Sequence, residues 1–471
     1  MSAADLLARQ RADFAAAPRP DAAARRAALA TLARAIRAHE AALIAAVDQD
    51  FGGRPAAETQ ALELVPLYAQ IAHARRHLAR WMRRRRVAGS PFLWPARAFW
   101  EYQPLGVVGV IGAWNYPILL TLGPAVEALA AGNRVVMKPS ELAPRTAEAL
   151  AALVAGAFPP ERLATVTGGV EVARDFSAQP WDHLVFTGST RVGREVMAAA
   201  ARNLTPVTLE LGGKSPAILH DSADLPRSVA RLMTGKLYNA GQTCVAPDYA
   251  LVPPGRIAAF EAEAARAVAR LYPKGLGADY TRIVSDGHLT RLRDLVADAG
   301  RRGARVVELA PVPPGANGRI MPPTLVIDPD PDSPLMREEI FGPVLPVVPA
   351  ETLDAALAFV NARPRPLALY YFDDDRGRQD EVLARTMSGG VTLNDTIFHL
   401  AQLNLPFGGV GDSGMGAYHG LDGFAQFSKK RPVMVQARWA GTALVRPPWG
   451  ARGRLVGTLL AAARRLAGAG R

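Results

Sequence analysis

Cys244 is the only cysteine among 471 residues, and it stands in Gly241-Gln242-Thr243-Cys244-Val245-Ala246-Pro247. A lone cysteine has no internal disulfide partner. It is a buried small hydrophobe, a surface accident or a reactive thiol. The polar, turn-prone Gly-Gln-Thr before it is a poor lining for a buried apolar thiol. Glu210 lies between leucines in Thr208-Leu209-Glu210-Leu211-Gly212-Gly213-Lys214. Apolar neighbours raise a carboxylate's pKa towards the range of a general base. Asn115, in Ala113-Trp114-Asn115-Tyr116-Pro117, offers a neutral amide donor of the kind that stabilises an oxyanion. Phe186-Thr187-Gly188-Ser189-Thr190-Arg191-Val192-Gly193 runs from a strand into a helix, where glycines let a pyrophosphate approach the helix N-terminus. Its spacing is G-x-x-x-x-G, so an ordinary strand–helix turn is an equal reading. Lys138 and Glu141, in Met137-Lys138-Pro139-Ser140-Glu141, close another strand, where a carboxylate can accept hydrogen bonds from ribose hydroxyls; a solvated loop pair is the plain alternative.

These residues need elements to hold them. Asp21–Asp48 and Glu58–Trp81 carry apolar residues at helical spacing and read as two N-terminal helices. His73 and His77 fall at i, i+4 on the second, but Arg75 and Arg76 lie between them and no carboxylate is near, so no metal site is expected. From Gly106, β-branched runs alternate with Ala/Leu helical stretches. Strands are predicted at Val107–Ile111, Arg134–Met137, Leu163–Thr167, His183–Phe186 and Pro206–Glu210. A second series follows at Ala217–Leu219, Tyr249–Val252, Val306–Glu308, Thr324–Ile327, Val344–Val348, Leu367–Phe372 and Val391–Asn394. The alternation argues for an α/β protein with two doubly wound parallel sheets. The expected organisation is a dinucleotide-binding domain over 1–86 and 104–210 and a catalytic domain over 211–412. A small bridging β element over 87–103 and 413–440, and a tail from 441, complete it.

Composition sets the bounds. Hydrophobic residues make up 49% and charged residues 21%, ordinary for a globular protein. One cysteine fits a reducing, cytoplasmic compartment. Met1–Asp21 has no apolar core of a secretory signal, and no long uncharged apolar run suggests a spanning helix. The net charge of +12 comes without a nucleic-acid motif, so no nucleic-acid partner is expected. Arg83–Arg86 reads as a solvated basic face or a docking edge for another subunit. For the tail after Arg452, two readings stay open: a basic amphipathic helix in weak contact with a membrane surface, on the cytoplasmic side, or a segment packed beside the substrate mouth.

Together with Arg337-Glu338-Glu339-Ile340-Phe341-Gly342-Pro343 and Leu405-Pro406-Phe407-Gly408-Gly409-Val410-Gly411, these motifs resemble the aldehyde dehydrogenase superfamily, in its order, from about Gly106 to Val435. The Cys244 segment, Ser413-Gly414-Met415-Gly416-Ala417-Tyr418-His419-Gly420 and Gly423-Phe424-Ala425-Gln426-Phe427-Ser428 look like its class 3 branch, which includes fatty-aldehyde and coniferyl aldehyde dehydrogenases. Leu405-Pro406-Phe407 with Gly420-Leu421-Asp422-Gly423-Phe424 lean towards the bacterial coniferyl-type members. The resemblance implies Cys244 as nucleophile, Glu210 as general base, and Asn115 with the Cys244 N–H on the oxyanion. It implies Lys138 and Glu141 on the adenosine ribose, and Gly188, Ser189 and Gly193 at the pyrophosphate turn. Glu339 would bind the nicotinamide ribose, Phe341 would pack near the ring, and Trp114 and Leu211 would also line the cofactor. NAD is implied, with NADP also accepted, and a homodimer through Val87–Gln103 and Lys429–Ala437. The activity implied is oxidation of an aromatic or medium- to long-chain aldehyde to its acid through a thiohemiacetal and a thioester. The alternatives are a CoA-acylating enzyme, which Glu210 argues against, and a silent binding protein on the same fold.

Overall fold

The structure is a computed structural model, and it describes residues 1–90, 93–313, 318–440, 442, 446–450 and 452–468. Parts of the bridging segment and of the tail therefore lie outside the described residues. The chain forms two compact units, Met1–Leu78 with Pro104–Phe427, and Ala79–Gln103 with Ser428–Arg471. Its strands are β1 (Arg85–Val87), β2 (Arg97–Pro104), β3 (Val107–Ile111), β4 (Arg134–Lys138), β5 (Leu163–Thr165), β6 (His183–Thr187), β7 (Val207–Glu210), β8 (Pro216–Leu219), β9 (Tyr249–Val252), β10 (Arg305–Glu308), β11 (Thr324–Ile327), β12 (Val344–Pro349), β13 (Ala368–Phe372), β14 (Gly390–Leu393), β15 (Gly414–Met415) and β16 (Ser428–Val435).

The first unit holds two sheets, in the orders β15-β7-β6-β3-β4-β5 and β10-β11-β12-β9-β8-β13-β14. Their central strands are parallel and buried on both faces, which is why they read as unbroken apolar runs rather than alternating ones. Both sheets end differently from the all-parallel expectation. β15 pairs antiparallel with β7, Gly414 opposite Glu210, and β10 pairs antiparallel with β11. An edge strand has only one neighbour, so its direction is set by the loop that delivers it and not by a crossover helix. Residues 413–427, grouped in the sequence reading with the bridging segment, lie in this first unit.

In the first sheet the chain runs from β3 outward through β4 to β5, then returns to the other side of β3 for β6 and β7. The reversal lies between β3 and β6. In open α/β sheets such a switch opens a crevice beyond the carboxyl ends of the strands. Those ends carry Asn115, Lys138, Gly188 and Glu210.

The helix predicted over Asp21–Asp48 is observed as Ala22–Phe51. The helix Leu119–Ala131 is capped at its start by the Glu63 carboxylate, which accepts from the N–H groups of Ile118 and Leu119 at 2.8 and 3.1 Å. The predicted helix Glu58–Trp81 instead begins at Ala56 and contains a π turn, Gln60–Leu64. A π turn shifts the facing of the residues inside it, and this one carries Glu63. A helix over Ala3–Ala16, absent from the expectation, buries Leu6 and Leu7 against the first sheet.

The second unit contains the sheet β1-β2-β16, in which β1 and β2 are antiparallel, and a helix over Gly453–Leu466. No helix among the described residues is long and apolar enough to cross a membrane.

Candidate active site

Glu210 ends β7 only 3% exposed, and neither of its carboxylate oxygens has a hydrogen-bond partner. Burial holds its pKa well above the usual carboxylate range. A buried acceptor without a partner costs free energy, so its retention points to use. Cys244 is part-buried, and its sulfur accepts from the N–H groups of Cys244 and Val245. Enclosure first, then the Glu339 and Glu210 carboxylates, push its thiol up to about 12.

The Cys244 loop is strained on its approach. Asn239, Ala240 and Gly241 all have left-handed backbone, with φ of 52°, 51° and 75°. At Gly241 a Cβ would sit 2.2 Å from the Gly342 carbonyl oxygen, so only glycine fits. Non-glycine residues in this region cost about 1–3 kcal/mol each and persist where surrounding bonds over-determine them. Those bonds are present. The Gln242 amide donates to Asn239 O and Arg282 O and accepts from Val284 N–H. The Glu58 carboxylate accepts from Asn239 N–H and from the Thr281 hydroxyl. Tyr370 donates its hydroxyl to Val245 O.

Asn115 is 3% exposed, and its Nδ2 donates to Gln242 O at 3.1 Å. A carboxamide nitrogen carries two hydrogens, so one remains for a ligand. Its backbone carbonyl accepts from Arg54 Nη1 at 3.1 Å and Asn239 Nδ2 at 2.9 Å. Tyr116 shares a 2.6 Å hydrogen bond with Thr243. The Asn115 and Cys244 loops, 129 positions apart in sequence, are thus bonded directly to each other.

Glu339 follows a turn that two partners hold. Lys214 binds Asp248 and donates to Leu335 O and Glu338 O, and Asp248 accepts from Ile340 N–H. Burial and the neighbouring Asp248 raise the Glu339 carboxyl to about 8. Its oxygens lie against Gly212, where a Cβ would be 2.1 Å away. Phe341 is held at φ 53°, with its ring centroid 5.3 Å from Trp114. Trp114 also packs on His288 at 5.1 Å.

At the far end, the fully buried Lys138 Nζ bonds exposed Glu141 at 2.5 Å. Ser189 caps the helix Thr190–Ala201 through Val192 N–H and is open to solvent. The glycines here have packing reasons as well. A Cβ at Gly188 would meet the Phe186 ring at 2.5 Å, and one at Gly193 would meet Leu211 at 2.7 Å. An open helix N-terminus and a lysine–carboxylate pair at neighbouring strand ends fit a dinucleotide laid across the switch point.

Sequence reasoning missed the groups that hold these residues. Arg54 and Glu63 form a fully buried ion pair at 3.2 Å. Burial nevertheless raises the Glu63 carboxyl. Lys236 is buried with no partner at Nζ and is pushed down to about 8 by burial. Nothing in the local spacing marks any of the three: the Arg54–Glu63 separation matches no helical or strand repeat, and the Nζ of Lys236 has no partner among the described residues.

The chain belongs to the aldehyde dehydrogenase family, whose model matches residues 3–433. It is 49% identical to the Pseudomonas aeruginosa protein named "Probable coniferyl aldehyde dehydrogenase", over 94% of this chain and 93% of that one. It is 44% identical to the Rattus norvegicus "Aldehyde dehydrogenase, dimeric NADP-preferring", over 71% and 73%. Among solved structures it superposes on Staphylococcus aureus AldH in a substrate-bound state, with TM-score 0.91 and 34% identity over 97% of this chain and 99% of that one. The protein is an NAD(P)-dependent enzyme that oxidises an aldehyde to the carboxylic acid.

Proposed function

We propose that Cys244 is the nucleophile, Asn115 and the Cys244 N–H the oxyanion donors, and Glu210 the base that activates water. The observation that carries this reading is the buried Glu210 carboxylate with both oxygens unpartnered, within electrostatic reach of the lone thiol. The thiol proton passes to water as the sulfur adds to the aldehyde carbon, giving a thiohemiacetal whose oxyanion meets the free Asn115 N–H. NAD(P), which the residues assigned below would hold, would supply the hydride acceptor for that carbon. Glu210 then takes a proton from water as the water attacks the thioester, and the acid leaves with the Cys244 sulfur restored. An enzyme resolving the thioester with CoA has no need of a desolvated base at this position, which favours hydrolysis.

Lys138 and Glu141 are assigned to the adenosine ribose, and Gly188, Ser189, Gly193 and Leu211 to the pyrophosphate turn. Glu339 is assigned to the nicotinamide ribose, with Trp114 and Phe341 beside the ring. Glu141 faces a 2′-phosphate with like charge, so NAD is preferred and NADP accepted, Lys138 offsetting part of the repulsion. The substrate is an aromatic aldehyde of the coniferyl type. Two features support it: the name of the Pseudomonas aeruginosa relative, and the aromatic content, Tyr370, Phe407 and Tyr418, of the buried apolar cluster against which Cys244 and Tyr238 pack. The enzyme works as a cytoplasmic homodimer. Its cofactor-binding domain is 1–86 with 104–210, its catalytic domain runs from 211, and its bridging segments are 87–103 and, since residues up to Phe427 lie in the first unit, 428–440.

Stopped-flow kinetics test the roles. Cys244→Ala should fold and give no NADH. Glu210→Gln should give a burst of about one equivalent of NADH per site followed by slow turnover, because deacylation alone loses its base. Equal loss of burst and steady state would remove Glu210 from that role.

A further inference from the structure

Ten of the net twelve positive charges of this protein lie in its last 49 residues. Residues 1–422 contain 45 lysines and arginines against 43 acids, close to balance. Residues 423–471 contain ten basic residues and no acid. The end of that segment forms the 14-residue helix Gly453–Leu466, none of whose residues is buried. At 100° per residue, Leu455, Val456, Leu459, Leu460, Ala463 and Leu466 fall within one arc of the helix. Arg454, Arg464 and Arg465 fall on the opposite arc. The apolar arc is uncovered: Leu455, Val456, Leu460 and Leu466 are 36, 37, 50 and 84% exposed. Two further aromatic side chains precede the helix in the open, Trp439 at 84% and Trp449 at 53%.

From this we infer that the C-terminal helix is an interfacial anchor that lays its leucine face into the surface of an anionic lipid bilayer. Each component has a physical counterpart there. The leucine arc gains by leaving water for the acyl boundary, the arginines meet anionic headgroups, and tryptophans settle at headgroup level. The helix is about 21 Å long at 1.5 Å per residue, too short to cross about 30 Å of hydrocarbon, so it lies flat. A nucleic acid would satisfy the arginines and leave the leucine arc in water, so the amphipathic division favours lipid. The anchor would hold an aldehyde-oxidising enzyme where apolar aldehydes concentrate.

The test is co-sedimentation of the full-length enzyme with phosphatidylcholine vesicles, with and without phosphatidylglycerol, followed by tryptophan emission. The expected result is binding and a blue shift with phosphatidylglycerol only, weakened by salt. Neutralising Arg464 and Arg465 to Gln should lower partitioning about 25-fold, at about five-fold per arginine. Leu455→Gln with Leu460→Gln should abolish binding and leave NADH production from a water-soluble aldehyde unchanged. Absence of binding to phosphatidylglycerol vesicles would overturn the inference, as would undiminished binding by the leucine variant. Retention on duplex DNA by both wild type and leucine variant would assign the charge to nucleic acid and overturn it equally.

Discussion

At pH 7 a thiol of pKa about 12 exists as thiolate in roughly one molecule in 10⁵. Burial likewise holds the Glu210 carboxyl in the same site well above the usual carboxylate range. Two groups whose charged forms are both disfavoured wait for ligands to change their surroundings, and the free enzyme spares its only cysteine from casual oxidation. Alkylation of Cys244 by iodoacetamide in the free enzyme should therefore be slow at pH 7. It should rise about tenfold per pH unit from 7 to 10, since the thiolate fraction climbs in that proportion below the pKa. A plateau near pH 8.5, the ordinary cysteine value, would show that the enclosure does not perturb the thiol.

The helix Leu119–Ala131, the π turn and the Asn115 loop form one mechanical piece at the element scale. Glu63 caps the helix and pairs with Arg54, and Arg54 holds the Asn115 carbonyl while lying 5.0 Å from the Tyr116 ring centroid. Removing one partner of a buried pair leaves an uncompensated charge and costs about 3–5 kcal/mol, whereas replacing both with apolar residues is often near neutral. Glu63→Gln should therefore lower the unfolding free energy by about that amount and reduce kcat through Asn115. Arg54→Met with Glu63→Leu should recover most of the stability and little of the activity. Denaturant melts and steady-state rates of the double-mutant cycle check this. Additive stability losses would mean the pair is not coupled.

At the scale of the whole molecule, β16 pairs among the described residues with β2 alone, and its edge carries exposed Met434 and Val435. Such an edge is a template for pairing with another chain. Light scattering at micromolar concentration should give twice the 50.2 kDa chain mass. Met434→Pro, which removes a ladder donor, should shift the population towards monomer. A stable wild-type monomer would refute the dimer.

Much of this protein was legible before folding. The apolar runs of β3, β4, β6 and β9 announce strands because sheets covered on both faces leave no polar alternation. The lone Cys244, the leucine-flanked Glu210 and the Asn115 segment stand at strand ends or loops that local sequence marks. The charge of the last 49 residues is likewise a property of sequence alone. Other features exist only in three dimensions. The bond from Asn115 to Gln242 and the Arg54–Glu63 pair join residues whose separation along the chain carries no periodic signal. The direction of β15 beside β7 depends on how a loop returns, which neither alternation nor propensity encodes. The pKa values of Cys244, Glu210 and Glu339 follow from burial that belongs to no single segment. Local sequence determines which groups can do chemistry, because propensity and turn geometry act within a few residues. Tertiary structure decides their protonation and orientation, because desolvation and buried hydrogen bonds are made by elements distant in the chain.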